Sequence, residues 1–407
     1  MLLYVLSVMP FQSKNLVIIK GFSALVITLL PCRQLHSLFS IADGQVNMVC
    51  KLAQLYDSNI GSAQLNPVDD IISSATPKIT YFQDNGLLSI DTSLGLEVGR
   101  FYRDRRLNYE NLQFQFGLDY PNVEHTNLKA NFSTSYSETG TPNPIIGERT
   151  DSNIFSVFGG VHYHFQPIYG IGMDASSSNM KSLISKSGTR LSDVDREMLR
   201  GFIFYKYSEL LELKLSYRLR ENLIIGNNAD SISLRDAEKM SGEDESVSIG
   251  AEGSITSLLT GSIEFGAFRR KLNDGISYKD GFVSTTNLEW SLRPDVTTLS
   301  IALNADTIPT PVNDSIISRT LLLDLNHSYT QFLSSSISAS YGIVDFTNTL
   351  AGNSPRKDYN YSLGFGVSYL FSEYLTAKLL GNHTWNDTNS GRGFKRNTME
   401  ISIDLKM

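Results

Sequence analysis

Cysteine is nearly absent: this 407-residue chain has two, Cys32 and Cys50, both near the N-terminus. Two thiols so placed build no disulfide framework, and a thiol-poor chain suits an oxidising compartment. Beyond the N-terminal region there is no run of about twenty apolar residues, so no segment offers a helical membrane span. A basic excess is missing too. The formal net charge is −7, which argues against nucleic acid as a partner, since such partners select a basic face. No nucleophile elbow or phosphate loop occurs, so neither an enzyme nor a cofactor is expected. His162 and His164 share one strand face at a spacing that can bind metal. With no cysteine or further histidine tied to them, a pair of wall histidines is the better reading.

What the chain does have is alternation. Ile90, Thr92, Leu94, Leu96 and Val98 alternate with Asp91, Ser93, Gly95, Glu97 and Gly99. The same pattern runs through Leu112 to Leu118, Leu299 to Leu303 and Met399 to Leu405. A strand turns successive side chains to opposite faces, so each segment carries one oily and one wet face. Oily faces outward and wet faces inward describe a transmembrane, antiparallel up-and-down β-barrel, which fixes the class as all-β and the compartment as the bacterial outer membrane. About 18 strands (16–18) are expected. They fall near 46–56, 76–82, 87–102, 110–120, 125–137, 152–165, 169–177, 197–207, 211–220, 245–254, 259–270, 282–292, 297–306, 315–329, 333–346, 357–371, 375–385 and 397–407.

The connections obey a parity. Asp84-Asn85-Gly86, Gln166-Pro167, Ser208-Glu209, Arg293-Pro294-Asp295 and Ser372-Glu373 have the chemistry of tight turns. Between them lie polar stretches at 59–70, 138–151, 178–197, 221–245, 271–281, 347–356 and 386–396. Short turns belong on the periplasmic rim and long loops outside. A soluble sandwich has no reason to keep that order. The outer face would then carry Phe114, Phe116, Phe132, Leu213, Leu215, Phe265, Leu321, Leu323, Leu363, Phe365, Val367, Ile401 and Ile403, with Tyr102, Tyr120, Tyr136, Tyr329, Tyr369 and Trp385 toward the strand ends as girdles.

Residues 1–42 read as a targeting segment and 43–407 as the barrel. Lys14 and Lys20 precede the apolar run from Gly21 to Leu30, and Ser40-Ile41-Ala42 offers a small-x-small cleavage site.

From Tyr56-Asp57-Ser58-Asn59 onward the chain resembles the putative β-barrel porin 2 family of outer-membrane proteins. The resemblance rests on that motif, the acidic spacer Asp69-Asp70, a strand entry marked by Thr76-Pro77-Lys78, the stretch from Leu288 to Thr297 around an Arg-Pro turn, and the hairpin of Tyr359 to Leu375. It implies an outer-membrane barrel, in some cases associated with surface polysaccharide systems. Many such barrels end in an aromatic residue read by the assembly machinery; this chain ends in Met407 with the alternation from Met399 intact.

The wet face is expected to include Asp91, Glu97, Asp119, Asp174, Glu212, Glu252, Glu264, Glu289, Asp306, Asp324, Glu400 and Asp404, against Lys129, Lys214, Arg218, Arg220, Lys378 and Lys406. An open lumen lined this way would favour cations or neutral solutes; inward charges also pair across strands and hold the wall together. The loop at 221–245 carries an acidic cluster including Asp230, Asp236 and Glu238, without the spacing of a helix-loop-helix calcium site. The leading expectation is a porin-like channel for a polar solute, by passive diffusion or export. A closed barrel acting through its loops as a structural or adhesive surface protein comes second, and a barrel-borne hydrolase a distant third. The partners expected are outer-membrane lipid, the assembly machinery and polysaccharide export components.

Overall fold

The computed structural model describes residues 39–41, 43–121, 127–143, 148–183, 193–225, 241–272, 278–308, 316–346, 356–389 and 393–406. Most of residues 1–42, expected to be a targeting segment, the Asp230–Glu238 acidic cluster and Met407 lie outside these residues.

A short strand β1 (Phe39–Ile41) folds back on the start of β2 (Gly44–Asp57). There follow β3 (Asp70–Asp84), β4 (Ser89–Phe101), β5 (Tyr109–Tyr120), β6 (Leu128–Asn143), β7 (Glu148–Gln166) and β8 (Tyr169–Ser182). Next come β9 (Asp193–Ser208), β10 (Leu211–Ile225), β11 (Gly242–Ser254), β12 (Leu259–Leu272), β13 (Tyr278–Arg293) and β14 (Thr297–Ile308). The series ends with β15 (Ile316–Ser328), β16 (Leu333–Phe346), β17 (Arg356–Ser372), β18 (Leu375–Thr388) and β19 (Phe394–Lys406). Each strand from β2 pairs antiparallel with the next, and β19 pairs with β2 from Thr398↔Asp57 to Lys406↔Val49. The result is a closed barrel of eighteen strands. Closure leaves no unpaired edge, the condition for a sheet in hydrocarbon.

Local chemistry sets the turns. Between β3 and β4, Asp84 Oδ1 accepts from Gly86 N at 2.8 Å, and Asn85 Oδ1 accepts from Leu88 N at 2.7 Å. Gly86 sits at φ 78°, where a side chain would be strained. Near the same rim Gly253 and Gly261 face each other across β11 and β12 at φ 131° and 144°. A Cβ there would lie 1.9 Å from the Leu210 carbonyl and 2.0 Å from that of Asn287, so only glycine admits these backbones so close.

Two expectations are corrected. The polar stretches at 138–151, 178–197 and 221–245 are partly strand, because β6 runs to Asn143, β7 starts at Glu148, β8 runs to Ser182, β9 starts at Asp193, β10 runs to Ile225 and β11 starts at Gly242. A strand crosses the bilayer in about 9–11 residues, whereas β7 has 19. The hairpins therefore continue past the lipid, where their outer faces no longer need to be apolar. Pro77 is not a strand entry either: β3 begins at Asp70 and Pro77 pairs with Cys50 in mid-strand. It brings no N–H to the ladder, and the β3–β4 pairing skips from Ala75 to Lys78.

The family-like motifs at the N-terminus close the seam. Asp57 is 1% exposed and binds Arg396 of β19 through Nη2 at 2.6 Å and Nε at 3.0 Å. Asn59 donates to the carbonyls of Ala63 at 2.8 Å and Lys395 at 3.1 Å. Asp70, equally buried, accepts from Arg103 N at 3.0 Å and Asp104 N at 3.1 Å, fixing the turn after β4.

Candidate functional site

Contacts between distant strands identify the inner face. Arg200 on β9 meets Glu264 on β12 at 2.8 Å, and Arg220 on β10 meets Asp306 on β14 at 2.8 Å. Side chains three and four strands apart meet only on the concave side. Directly paired residues point the same way, so the register carries the assignment round the wall.

Asp91 faces Gly117, Glu97 faces Asn111, Asp119 faces Asn131 and Lys129 faces His162 on that inner face. Asp174 pairs with Arg200, Lys214 with Gly250, Glu212 with Glu252 and Arg218 with Ser246. Glu264 opposes Thr285, Glu289 and Asp324 both flank Ser300, and Lys378 opposes Ser402. Glu400 and Asp404 oppose Leu55 and Lys51. The opposite face holds Leu213, Leu215, Phe265, Leu363 and Phe365, each at least 40% exposed. Near its long-loop rim, Tyr361 and Trp385 stack at 4.9 Å with rings 8° from parallel.

Several inner charges tie the wall to itself. Lys51 bridges to Glu400 at 2.6 Å, Lys378 to Asp404 at 2.6 Å and Lys214 to Glu252 at 2.5 Å. The densest network surrounds Arg220. Its guanidinium donates to Asp244 Oδ2 from Nε at 2.9 Å and Nη2 at 2.7 Å, to both Asp306 oxygens, and to the Thr307 hydroxyl. Thr307 in turn donates to Asp244 at 2.9 Å, and Asn222 does so at 3.2 Å. Arg218 joins through Ser246 at 3.1 Å and Asp306 at 3.3 Å. The side chains of Arg220 and Asp244 are 3% and 2% exposed, so the pair is dry. Charge so buried persists only when paired and hydrogen-bonded.

This network deforms the barrel. Eighteen strands about 4.8 Å apart, evenly rounded and tilted about 40°, would hold β10 and β14 roughly 20 Å apart. An arginine and an aspartate reaching toward each other span only about 13 Å. The wall must therefore turn sharply between β10 and β14.

The inner face carries more charge of both signs than expected, with Asp57, Asp70, Asp244 and Asp358 added to its acids. Lys51, Lys78, Arg196, Arg200, Arg270, Arg356 and Arg396 point inward as well. Arg196, Arg356 and Arg396 fall in stretches read as loops, where the strand pattern continues in polar residues. The charges are zoned rather than of one sign. Arginines gather in the half toward the long loops, while Asp91, Asp119, Glu289 and Asp324, toward the short turns, have no ion pair among the described residues.

His162 and His164 lie edge-on to Phe202 and Phe204, at 4.9 Å and 4.7 Å between ring centres. The phenylalanines lie over Gly172 and Gly170, where an added Cβ would strike their rings. His162 Nε2 is also 3.4 Å from Asp174 Oδ1. Among the described residues no group of three or more His, Cys, Asp or Glu side chains is placed to hold a metal.

The sequence profile of the putative β-barrel porin 2 family matches residues 46–407, which is the whole barrel. This chain belongs to that family. It is thus a porin-like barrel of the bacterial outer membrane. No curated protein matches it. Among solved structures, the outer-membrane protein OpdK of Pseudomonas aeruginosa is similar at 12% identity and a TM-score of 0.47, over 89% of this chain and 99% of that one. OccAB3 of Acinetobacter baumannii is similar at 7% identity and a TM-score of 0.46, over 90% and 100%. The FrpB iron transporter of Neisseria meningitidis is similar at 11% identity and a TM-score of 0.44, over 84% and 62%. Likenesses this distant carry no argument about solute.

Proposed function

We propose that this barrel is a channel through which a polar solute crosses the outer membrane by diffusion, without covalent chemistry. The observation that carries the reading is the inner face. Around a fully paired wall it presents polar and charged groups of both signs, and its unpaired carboxylates gather toward one rim. A wall built only for stability would gain nothing from leaving Asp91, Asp119 and Glu289 unpaired. The sharply curved region, where the network of Arg220 and Asp306 projects inward, would be the narrow part of the path. Export of a surface polysaccharide is a further reading that rests on the family resemblance. It would add export components to the partners, beside outer-membrane lipid and the machinery that receives β19.

One observation favours the alternative of a closed scaffold working through its loops: the dry Arg220–Asp244 pair shows that part of the interior excludes water. Conductance of the purified protein in a planar lipid bilayer separates the two. Stepwise ion currents support the channel, and a protein that inserts yet passes no current overturns it.

A further inference from the structure

A second feature of the inner wall lies away from the arginine network. Toward the long-loop rim, β4 to β7 form a recess of 440 Å³, within the roughly 300–1,000 Å³ usual for small-molecule pockets. Asn111 and Gln113 of β5 and Ser137 and Thr139 of β6 line it, with Ile154 of β7 as an apolar patch. The cross-strand pairs Gln113↔Ser137 and Ser137↔Ile154 bring them to one face.

The charged groups of this recess are already engaged. Tyr109 Oη donates to Glu97 Oε1 at 2.6 Å, and the Arg149 guanidinium lies 4.4 Å from the Tyr109 ring centre. Arg149 also meets Asp151 at 3.3 Å, and Glu138 accepts from Leu112 N at 2.9 Å and Tyr136 Oη at 2.8 Å. By contrast, the side chains of Asn111, Gln113, Ser137 and Thr139 make no hydrogen bond among the described residues. An amide and a hydroxyl each both donate and accept. Four such groups beside an aliphatic surface suit a solute that offers hydroxyls and C–H faces together. A carboxylate would find the one arginine already facing Asp151 and would lose hydration without return.

We propose that this recess binds a neutral sugar on its way through the lumen, which rests on the channel reading for its location but not for its chemistry. The test uses maltose as probe on the full barrel in detergent, by titration calorimetry, and in planar bilayers, by current interruption. Wild type should bind maltose and show sugar-dependent blocks. Asn111→Ala with Gln113→Ala should weaken both roughly tenfold while leaving heat-modifiable gel migration unchanged. The near-isosteric Gln113→Glu should do the same if the double variant fails to fold. Glucuronate should bind more weakly than maltose. Current without maltose block or heat of binding, or glucuronate binding more tightly, overturns the recess. Heat of binding that depends on Gln113, in a protein that never conducts, keeps the recess and overturns the channel.

Discussion

Arg220 on β10 and Asp306 on β14 are hydrogen-bonded at 2.8 Å although three strands stand between them in the sheet. The contact fixes which face is inside, shows where the wall bends and braces that bend from within.

Removing that brace should both loosen and widen the barrel. In Asp306→Ala, Arg218 loses its carboxylate and Arg220 keeps only Asp244. Breaking a fully buried pair costs about 3–5 kcal/mol; the Asp306 side chain is 21% exposed, so about 2–3 kcal/mol is expected here. The folded form on unheated gels should melt at lower temperature, and single-channel conductance should rise. Unchanged conductance would mean that the narrow part of the path lies elsewhere.

The seam offers a covalent test of closure. Cys50 on β2 is a free thiol directly opposite Leu405 on β19. Opposed residues in antiparallel strands have Cα atoms about 4.5–5.5 Å apart, inside the ~4.4–6.8 Å range of disulfides. Leu405→Cys should therefore cross-link under mild oxidation and raise the temperature at which the barrel opens. A chain that stays reduced would show that the first and last strands are not neighbours.

The two faces should respond oppositely to charge. Ile249 on β11 faces outward and is 65% exposed; Ile249→Arg should cost about 2–4 kcal/mol in a bilayer. Asn304 on β14 pairs with Thr285 on the inner face, and Asn304→Lys should be nearly neutral for stability. Urea unfolding in lipid vesicles compares the two. A larger loss for Asn304→Lys would invert the face assignment.

Selectivity should follow the carboxylates at the short-turn end. Asp91→Asn, Asp119→Asn and Glu289→Gln together remove three negative charges that no ion pair among the described residues offsets. The reversal potential in a salt gradient should move toward anions, with a permeability ratio changed by about two-fold or more. Absence of any shift would place the ion path away from these side chains.

Much of this was legible beforehand, and the limits are instructive. The stretches around Ile90–Val98 and Met399–Leu405 announce strands because their outer residues must be apolar. Where β9 and β11 rise past the lipid, that requirement lapses, and Arg196 and Asp244 are hidden in apparent loops. The motif Tyr56-Asp57-Ser58-Asn59 was recognisable as family-like, but its work was not. Asp57 meets Arg396, 339 residues away, and nothing local marks either as the other's partner.

The sequence alone determined the strand count to within two, the side of the wall that the lipid-spanning residues face and the positions of the tight turns. All three follow from the two-residue repeat of extended backbone and from turn chemistry, which act over a few neighbours. Tertiary structure alone decided the shape of the lumen, the neutralisation of its carboxylates by distant arginines and the free amides gathered in the recess. Those depend on how tightly the closed wall bends, and curvature is set by contacts between strands the chain visits far apart.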